Sequence, residues 1–117
     1  LGSRAEFVAL DLRKPWAKAL DTRFDLVYTL QSLHDLGGKS ALRDVYGEVA
    51  RVLVPGGTLL NADFIQPFST DDPEQPRRFP TTVHETLMLE CGFTNPHCIA
   101  TTGLLGCIAA RRSEAPR

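Results

Sequence analysis

The chain has 117 residues, of which 43% are hydrophobic and 23% charged, and its 13 basic against 14 acidic side chains leave a net charge of -1. That length holds one domain and excludes a second independent one, and the composition is that of a folded globular chain rather than a disordered or membrane-spanning one. A net charge near zero supplies no overall positive field for nucleic acid or an anionic lipid surface.

In chain order, "AEFVALDL" at residues 5–12 is a short apolar run ending in an acidic residue, and "FDLVYTL" at residues 24–30 is a second. Both have the length and composition of buried strands. In "SALRDVYGEVARVL", Leu42, Val45, Tyr46, Val49, Val52 and Leu53 recur at helical spacing, with Ser40 as the expected cap. Pro55 is expected to stop this helix, and Gly56 and Gly57 to make the turn into a strand, "TLLNADFI".

Residues 66–80 carry four of the eight prolines and no periodicity, which predicts a long surface loop of the functional or mobile kind. Thr82 followed by Glu85 has capping-box spacing and predicts a second helix ending at Gly92, with Val83, Leu87 and Cys91 inward. "PHCIAT" and "LLGCIAARR" close the chain as an antiparallel hairpin turning near Thr102 and Gly103, and the basic tail at residues 111–117 reads as a solvated terminus. Strands alternating with helices imply a largely parallel sheet covered on both faces.

The three cysteines, Cys91, Cys98 and Cys107, form neither an even set nor a CxxC pair, so no disulfide framework or zinc site is expected and a reducing, cytoplasmic setting is. Cys98 and Cys107 face each other across the hairpin in only one of its registers. His84 and His97 lack a partner at metal-ligand spacing and read as structural or exposed. Ser32, His34 and Asp35 are near neighbours on one loop without a GxSxG elbow, which excludes a hydrolase triad. The first residue is Leu1, with no signal-peptide pattern, as in a processed chain, an expression product or a fragment of something longer.

Taken in order, "ALDL", "FDLVYTLQSLHDL", "EVARVLVPGGTLLNADF" and "LMLECGF" before a terminal hairpin resemble the latter part of a class I S-adenosylmethionine-dependent methyltransferase. The resemblance spans nearly the whole chain. It implies an α/β, Rossmann-like methyltransferase fold with a mostly parallel sheet and a C-terminal antiparallel hairpin, truncated at its N-terminus, residues 1–117 being a single partial domain. It makes the Pro55–Gly57 junction a structural hinge. The glycines precede a strand instead of opening a helix, the wrong polarity for an anion site. The family's glycine-rich cofactor loop and its ribose-binding acidic residue have no counterpart, so two strand-helix units, roughly 60 residues at about 30 each, are missing.

The resemblance also implies the site. S-adenosylmethionine is the cofactor it carries, with Asp11 accepting from the adenine amino group, the Leu12 amide reaching a ring nitrogen, and Leu30 and Gln31 facing the methionine part. His34 falls near the transferred methyl, where a neutral imidazole takes a proton from an acceptor hydroxyl or amine. Asp35, its neighbour, is expected to be a surface or helix-start carboxylate.

The function expected is methyl transfer to a small-molecule or other nucleophile, with this chain as the C-terminal part of the enzyme and inactive alone; no metal, nucleic acid or membrane is implied. The alternatives are a non-catalytic truncated module used for binding or assembly, and a doubly wound domain for another nucleotide. The family's strand order separates residues 5–12 from residues 24–30, leaving the latter with unpaired backbone and an expected route to a homodimer through the exposed sheet edge.

Overall fold

The computed structural model describes residues 5–114. Residues 1–4 and 115–117, the latter including the end of the basic tail, lie outside the described residues. The elements are β1 (Phe24–Leu30), α1 (Lys39–Val52), β2 (Leu53–Phe64), α2 (Thr81–Glu90), β3 (Phe93–Thr102) and β4 (Leu105–Arg112), with short 3-10 turns at Ala17–Ala19 and Leu33–Asp35. The strands form one sheet in the order β1-β2-β4-β3. β1 and β2 are parallel, while β2 with β4 and β3 with β4 are antiparallel, giving the mixed α/β sheet with its C-terminal hairpin.

Helix α1 forms where its 3-4 spacing indicates, and Leu42, Val45, Tyr46, Val49 and Val52 are buried. Its cap is Gly38 rather than Ser40, which lies inside the first turn, and no side chain caps the helix. The expected Thr82–Glu85 capping box is likewise absent: the cap is Pro80, two residues before Thr82, and its fixed φ suits the entry. Its inward side is His84, Leu87 and Met88, continued by the buried Cys91, with Val83 only half-buried. Gly92, at φ 95°, makes the exit.

The Pro55 junction differs from the expected helix-turn-strand. α1 ends at Val52, β2 begins at once at Leu53, and the Pro55-Gly56-Gly57 segment is a bulge within the strand. The register passes from Phe24↔Leu53 to Leu26↔Thr58, so β2 loops out three residues more than β1. Pro55 has no N–H to contribute to the ladder, and Gly57 sits where a Cβ would be 2.9 Å from the Val54 carbonyl oxygen and 3.2 Å from that of Asp25.

The hairpin closes through a two-residue turn at Gly103 and Leu104, with Thr102 opposite Leu105. Gly103 supplies the positive φ that such a turn demands at its first position. In this register Cys98 faces Ile108 and Cys107 faces Ala100, so the hairpin does not pair the two cysteines.

Residues 5–12 do not form the expected strand. Phe7 is 93% exposed, and only Leu10 and Leu12 reach the core edge. A strand needs a neighbour for its backbone groups, and the chain between residues 13 and 23 folds into turns instead of the crossover that a parallel partner for β1 requires.

Both helices pack on one face of the sheet, over Leu59, Asn61, Asp63, Ile108 and Ala110. Trp16 and the 3-10 turn after it close the end of this core, with the Ala17 amide donating to the buried Glu48 carboxylate at 2.9 Å. The opposite face carries Leu26, Tyr28 and Leu30 of β1, beside Thr58, Leu60 and Ala62 of β2. None of the described helices covers it, and Tyr28 remains 74% exposed.

Candidate functional site

At the carboxyl end of β1 the chain leaves the sheet through Gln31, which adopts φ 53°, a conformation uncommon for a non-glycine residue. The Gln31 amide still donates to Ala62 at 2.7 Å, and the Ser32 hydroxyl donates back to the Leu30 carbonyl at 3.0 Å. This sharp exit, together with the 3-10 turn that follows, buries Leu33 and sends the His34 ring toward the end of β2. Leu30 and Gln31 themselves are exposed.

His34 meets Asp63 twice. Its backbone amide donates to Oδ2 at 3.1 Å, and its ring Nδ1 lies 2.6 Å from Oδ1. An ionised carboxylate only accepts, so Nδ1 carries the proton and Nε2 is left as the proton-accepting ring atom. Asp63 is 2% exposed and also receives the Phe64 amide at 2.8 Å, so its orientation is fixed on the helix-covered face of β2. The Phe64 ring stands edge-on to the imidazole at 5.4 Å.

Asp35 is exposed, the surface carboxylate expected, yet it also meets His34. The 3-10 turn brings its Oδ1 to 3.3 Å from Nε2, although the Asp35 side chain is itself 75% exposed. Asp63 is the residue that the sequence reading missed. Its signal was present: alternation in "LLNADF" puts Leu59, Asn61 and Asp63 on the same inward side, and a carboxylate there needs a partner.

Asp11 and Leu12 lie elsewhere, in an open groove of about 710 Å³ with Leu10, Asp35 and Leu36. Asp11 turns back on its own segment, accepting the Arg13 amide at 3.0 Å and the Arg13 Nε at 3.3 Å. The backbone hydrogen bond from Arg13 is the main cause holding its carboxyl below the ordinary range. Asp35 lines this groove and also touches His34, so it joins the Asp11 side to the imidazole. Leu30, Gln31 and His34 do not line the groove. His34 instead borders a tight cleft with Asp63, Arg77, Phe79 and His84 that leaves no room for a water molecule.

Of the other histidines, His97 is exposed with Nδ1 2.8 Å from the Asn95 carbonyl. His84 is 3% exposed and belongs to a buried chain in which Asn61 Nδ2 donates to the Tyr46 oxygen at 2.8 Å and the Tyr46 hydroxyl donates to His84 Nδ1 at 2.6 Å. This chain ties β2, α1 and α2 together beneath the His34–Asp63 pair.

A search of the curated proteins by sequence gave no match. The methyltransferase-domain family matches residues 2–61. Among solved structures, an O-methyltransferase family protein from Burkholderia thailandensis superposes with a TM-score of 0.76 at 19% identity, over 98% of this chain and 38% of that one. The CurJ carbon methyltransferase gives 0.71 at 15% identity, over 89% and 34%. Human N-acetylserotonin methyltransferase, solved in complex with SAM, gives 0.62 at 18% identity, over 76% and 29%. At these identities the likeness is one of fold, and the chain spans well under half the length of each of the three. No described helix is long and apolar enough to cross a membrane. With the family match running from before β1 through most of β2, and the same fold recurring in these structures, the chain belongs to the methyltransferase-domain family.

Proposed function

We propose that this chain supplies the acceptor side of an S-adenosylmethionine-dependent methyltransferase site, with His34 as its proton-accepting group. The observation that carries the reading is the His34–Asp63 pair. A buried carboxylate takes both the backbone and the ring N–H of one histidine, which makes Nε2, 3.3 Å from the exposed Asp35 carboxylate, the ring atom that an acceptor reaches by displacing that side chain. Bound S-adenosylmethionine supplies an electrophilic methyl group, so what the protein must add is alignment and removal of the acceptor's proton.

The residues present fit one flank of that cofactor. The groove beside Asp11 and Leu12 is open, and both Arg13 contacts to Asp11 fall on Oδ1. In this reading Asp11 and the Leu12 amide hold the adenine edge, and Leu30 with the strained Gln31 borders the methionine part at the carboxyl end of β1, where parallel sheets bind their ligands. The proton of a small-molecule hydroxyl or amine goes to His34 Nε2, and Asp63 stabilises the imidazolium that results. Cys98 and Cys107, left as thiols, suit a reducing cytoplasm.

Without a glycine-rich loop and a ribose carboxylate, residues 1–117 alone hold few of the cofactor's polar partners. Calorimetry of this chain with S-adenosylhomocysteine is expected to show weak or undetectable binding, and the full-length parent to bind at micromolar or tighter. A parent that ignores S-adenosylhomocysteine but binds an unrelated nucleotide would overturn the reading.

A second reading, a non-catalytic module for assembly, is favoured by one observation: the β1 edge and the uncovered face bearing Leu26, Tyr28 and Leu30. Edge-to-edge pairing of two copies through β1 follows from it. It is distinguished by a parent protein that binds its partner normally and never transfers a methyl group.

A further inference from the structure

Between β2 and α2, residues 66–80 are mostly exposed but folded onto themselves around Phe68, Asp71 and Arg78. The Phe68 amide donates to Asp71 Oδ2 at 2.7 Å and the Asp71 amide returns to the Phe68 carbonyl at 3.0 Å, a tight local turn. Seven residues on, Arg78 Nη1 lies 2.6 Å from Asp71 Oδ1, with both side chains more than four-fifths buried at 14% and 17% exposure. The guanidinium sits 4.0 Å from the Phe68 ring centroid and 5.7 Å from that of Phe64.

These contacts continue into the candidate site. Phe68 and Phe64 meet edge to face at 4.8 Å, and Phe64 meets His34 at 5.4 Å. Arg77 reaches the Asp35 carbonyl at 3.5 Å, and Phe79, at the end of the segment, is buried. The cleft that Arg77 and Phe79 share with His34 leaves no room for water. On this face an acceptor therefore meets His34 only after part of the segment moves, and Phe79, buried in the core one residue before the segment ends, is its fixed end.

We propose that residues 66–80 are a lid over His34, and that Arg78, clamped between Asp71 and the Phe68 ring, is the latch that holds it shut. A desolvated cation over an aromatic ring and a short, largely buried ion pair are each stronger than their surface equivalents. Both are made by one side chain whose Nε has no hydrogen-bond partner. Release of that single guanidinium removes the ion pair and the Phe68 contact that keep the segment folded on itself, and with them its 5.7 Å contact to Phe64 at the end of β2, so the closed shape of the lid hangs on one side chain. The proposal rests on His34 as the proton-accepting group, but the latch is tested without methyl transfer.

The test is diethylpyrocarbonate labelling of the 117-residue chain, read at each histidine by peptide mass spectrometry. Exposed His97 is the fast reference and buried His84 the slow one. In the wild type His34 is expected to label slowly. Arg78→Ala and Phe68→Ala are each expected to raise the His34 rate roughly tenfold, the factor corresponding to ~1.4 kcal/mol of lost latch, with His84 and His97 unchanged. Arg78→Lys, which keeps the charge over the ring, is expected to stay near the wild type. If Arg78→Ala also exposes His84, the core has opened and Phe68→Ala decides. Wild-type His34 labelling as fast as His97, or an unchanged His34 rate in Phe68→Ala, overturns the lid. A lid that opens as expected in a parent whose His34→Ala variant retains full turnover would keep the latch and remove the catalytic reading.

Discussion

The Tyr46 oxygen accepts from Asn61 Nδ2, and its hydroxyl donates to His84 Nδ1 across 2.6 Å in the buried layer between α1 and α2, an arrangement that uses the neutral histidine. Desolvation is the main cause that lowers the His84 pKa from 6.5 to about 4, against smaller opposing effects from Asp63 and the Phe79 backbone. The unfolded chain then binds a proton that the folded chain refuses. Stability is full above about pH 6.5 and falls as the pH drops toward 4, by up to about 3 kcal/mol. Urea unfolding at pH 7.5 and pH 4.5 is the measurement. The acid loss is expected to shrink markedly in His84→Gln, which has no proton to gain.

Tyr46→Phe removes the link in the same chain while keeping the ring. Asn61 Nδ2 and His84 Nδ1 then lose their shared partner, and Asn61 Oδ1 already has none. A loss of about 1–3 kcal/mol in unfolding free energy is expected at pH 7.5. Asn61→Leu added to Tyr46→Phe is expected to recover part of it, because the orphaned amide is removed as well.

For the full-length parent, His34→Ala is expected to lower kcat by about two orders of magnitude with little change in cofactor affinity. Asp63→Asn is expected to lower kcat as well, since an amide can donate to Nδ1 and favour the wrong tautomer. Asp11→Ala is expected to do the opposite, weakening cofactor binding more than turnover. Steady-state kinetics with calorimetry on the three variants separates these outcomes, and identical kcat values for wild type and His34→Ala would take His34 out of the mechanism.

Gly57→Ala tests the bulge after Pro55. Its Cβ would stand 2.9 Å from the Val54 carbonyl oxygen, 3.1 Å from Leu53 Cδ2 and 3.2 Å from the Asp25 carbonyl oxygen, two of the three being backbone. Little can yield, so a cost of about 1–3 kcal/mol is expected in urea unfolding. Gly103→Ala meets no neighbour and costs through its φ of 59° instead, by about 1 kcal/mol.

The edge of β1 gives the assembly prediction. Leu26, Tyr28 and Leu30 are 49%, 74% and 63% exposed on a strand that pairs on one side only. Sedimentation of the 117-residue chain at low micromolar concentration is expected to show dimers or larger species, and Tyr28→Lys with Leu30→Lys to shift them toward monomer. A single monodisperse 12.9 kDa species in the wild type would contradict this.

How much of this was legible in the sequence follows from the range of the interactions involved. The stripe Leu42, Val45, Tyr46, Val49 and Val52 could be read directly, because a helix's inward face is set by spacing along one segment. The same holds for the β3–β4 hairpin, whose partners are adjacent in the chain, and for the expected loop at residues 66–80 with its prolines. Local signals that compete with their surroundings read less well. Ser40 and Thr82 have the chemistry of caps, yet each helix begins before them, where Gly38 and Pro80 enter from neighbouring packed segments.

Only the tertiary structure decided the rest. "AEFVALDL" has strand composition but stays irregular, because a strand's backbone is satisfied by another strand and the described chain offers none beside it. Asp63 and His34 are 29 residues apart, and neither chemistry nor spacing links them until parallel pairing of β1 with β2 lays their carboxyl ends side by side. Arg78 reaches Phe64 only because the long loop folds back over the strand it left. Sequence determines which faces are apolar and where the chain turns, since these are properties of neighbouring residues. Which polar groups meet is settled by sheet order and loop closure, since these bring distant residues within hydrogen-bond range.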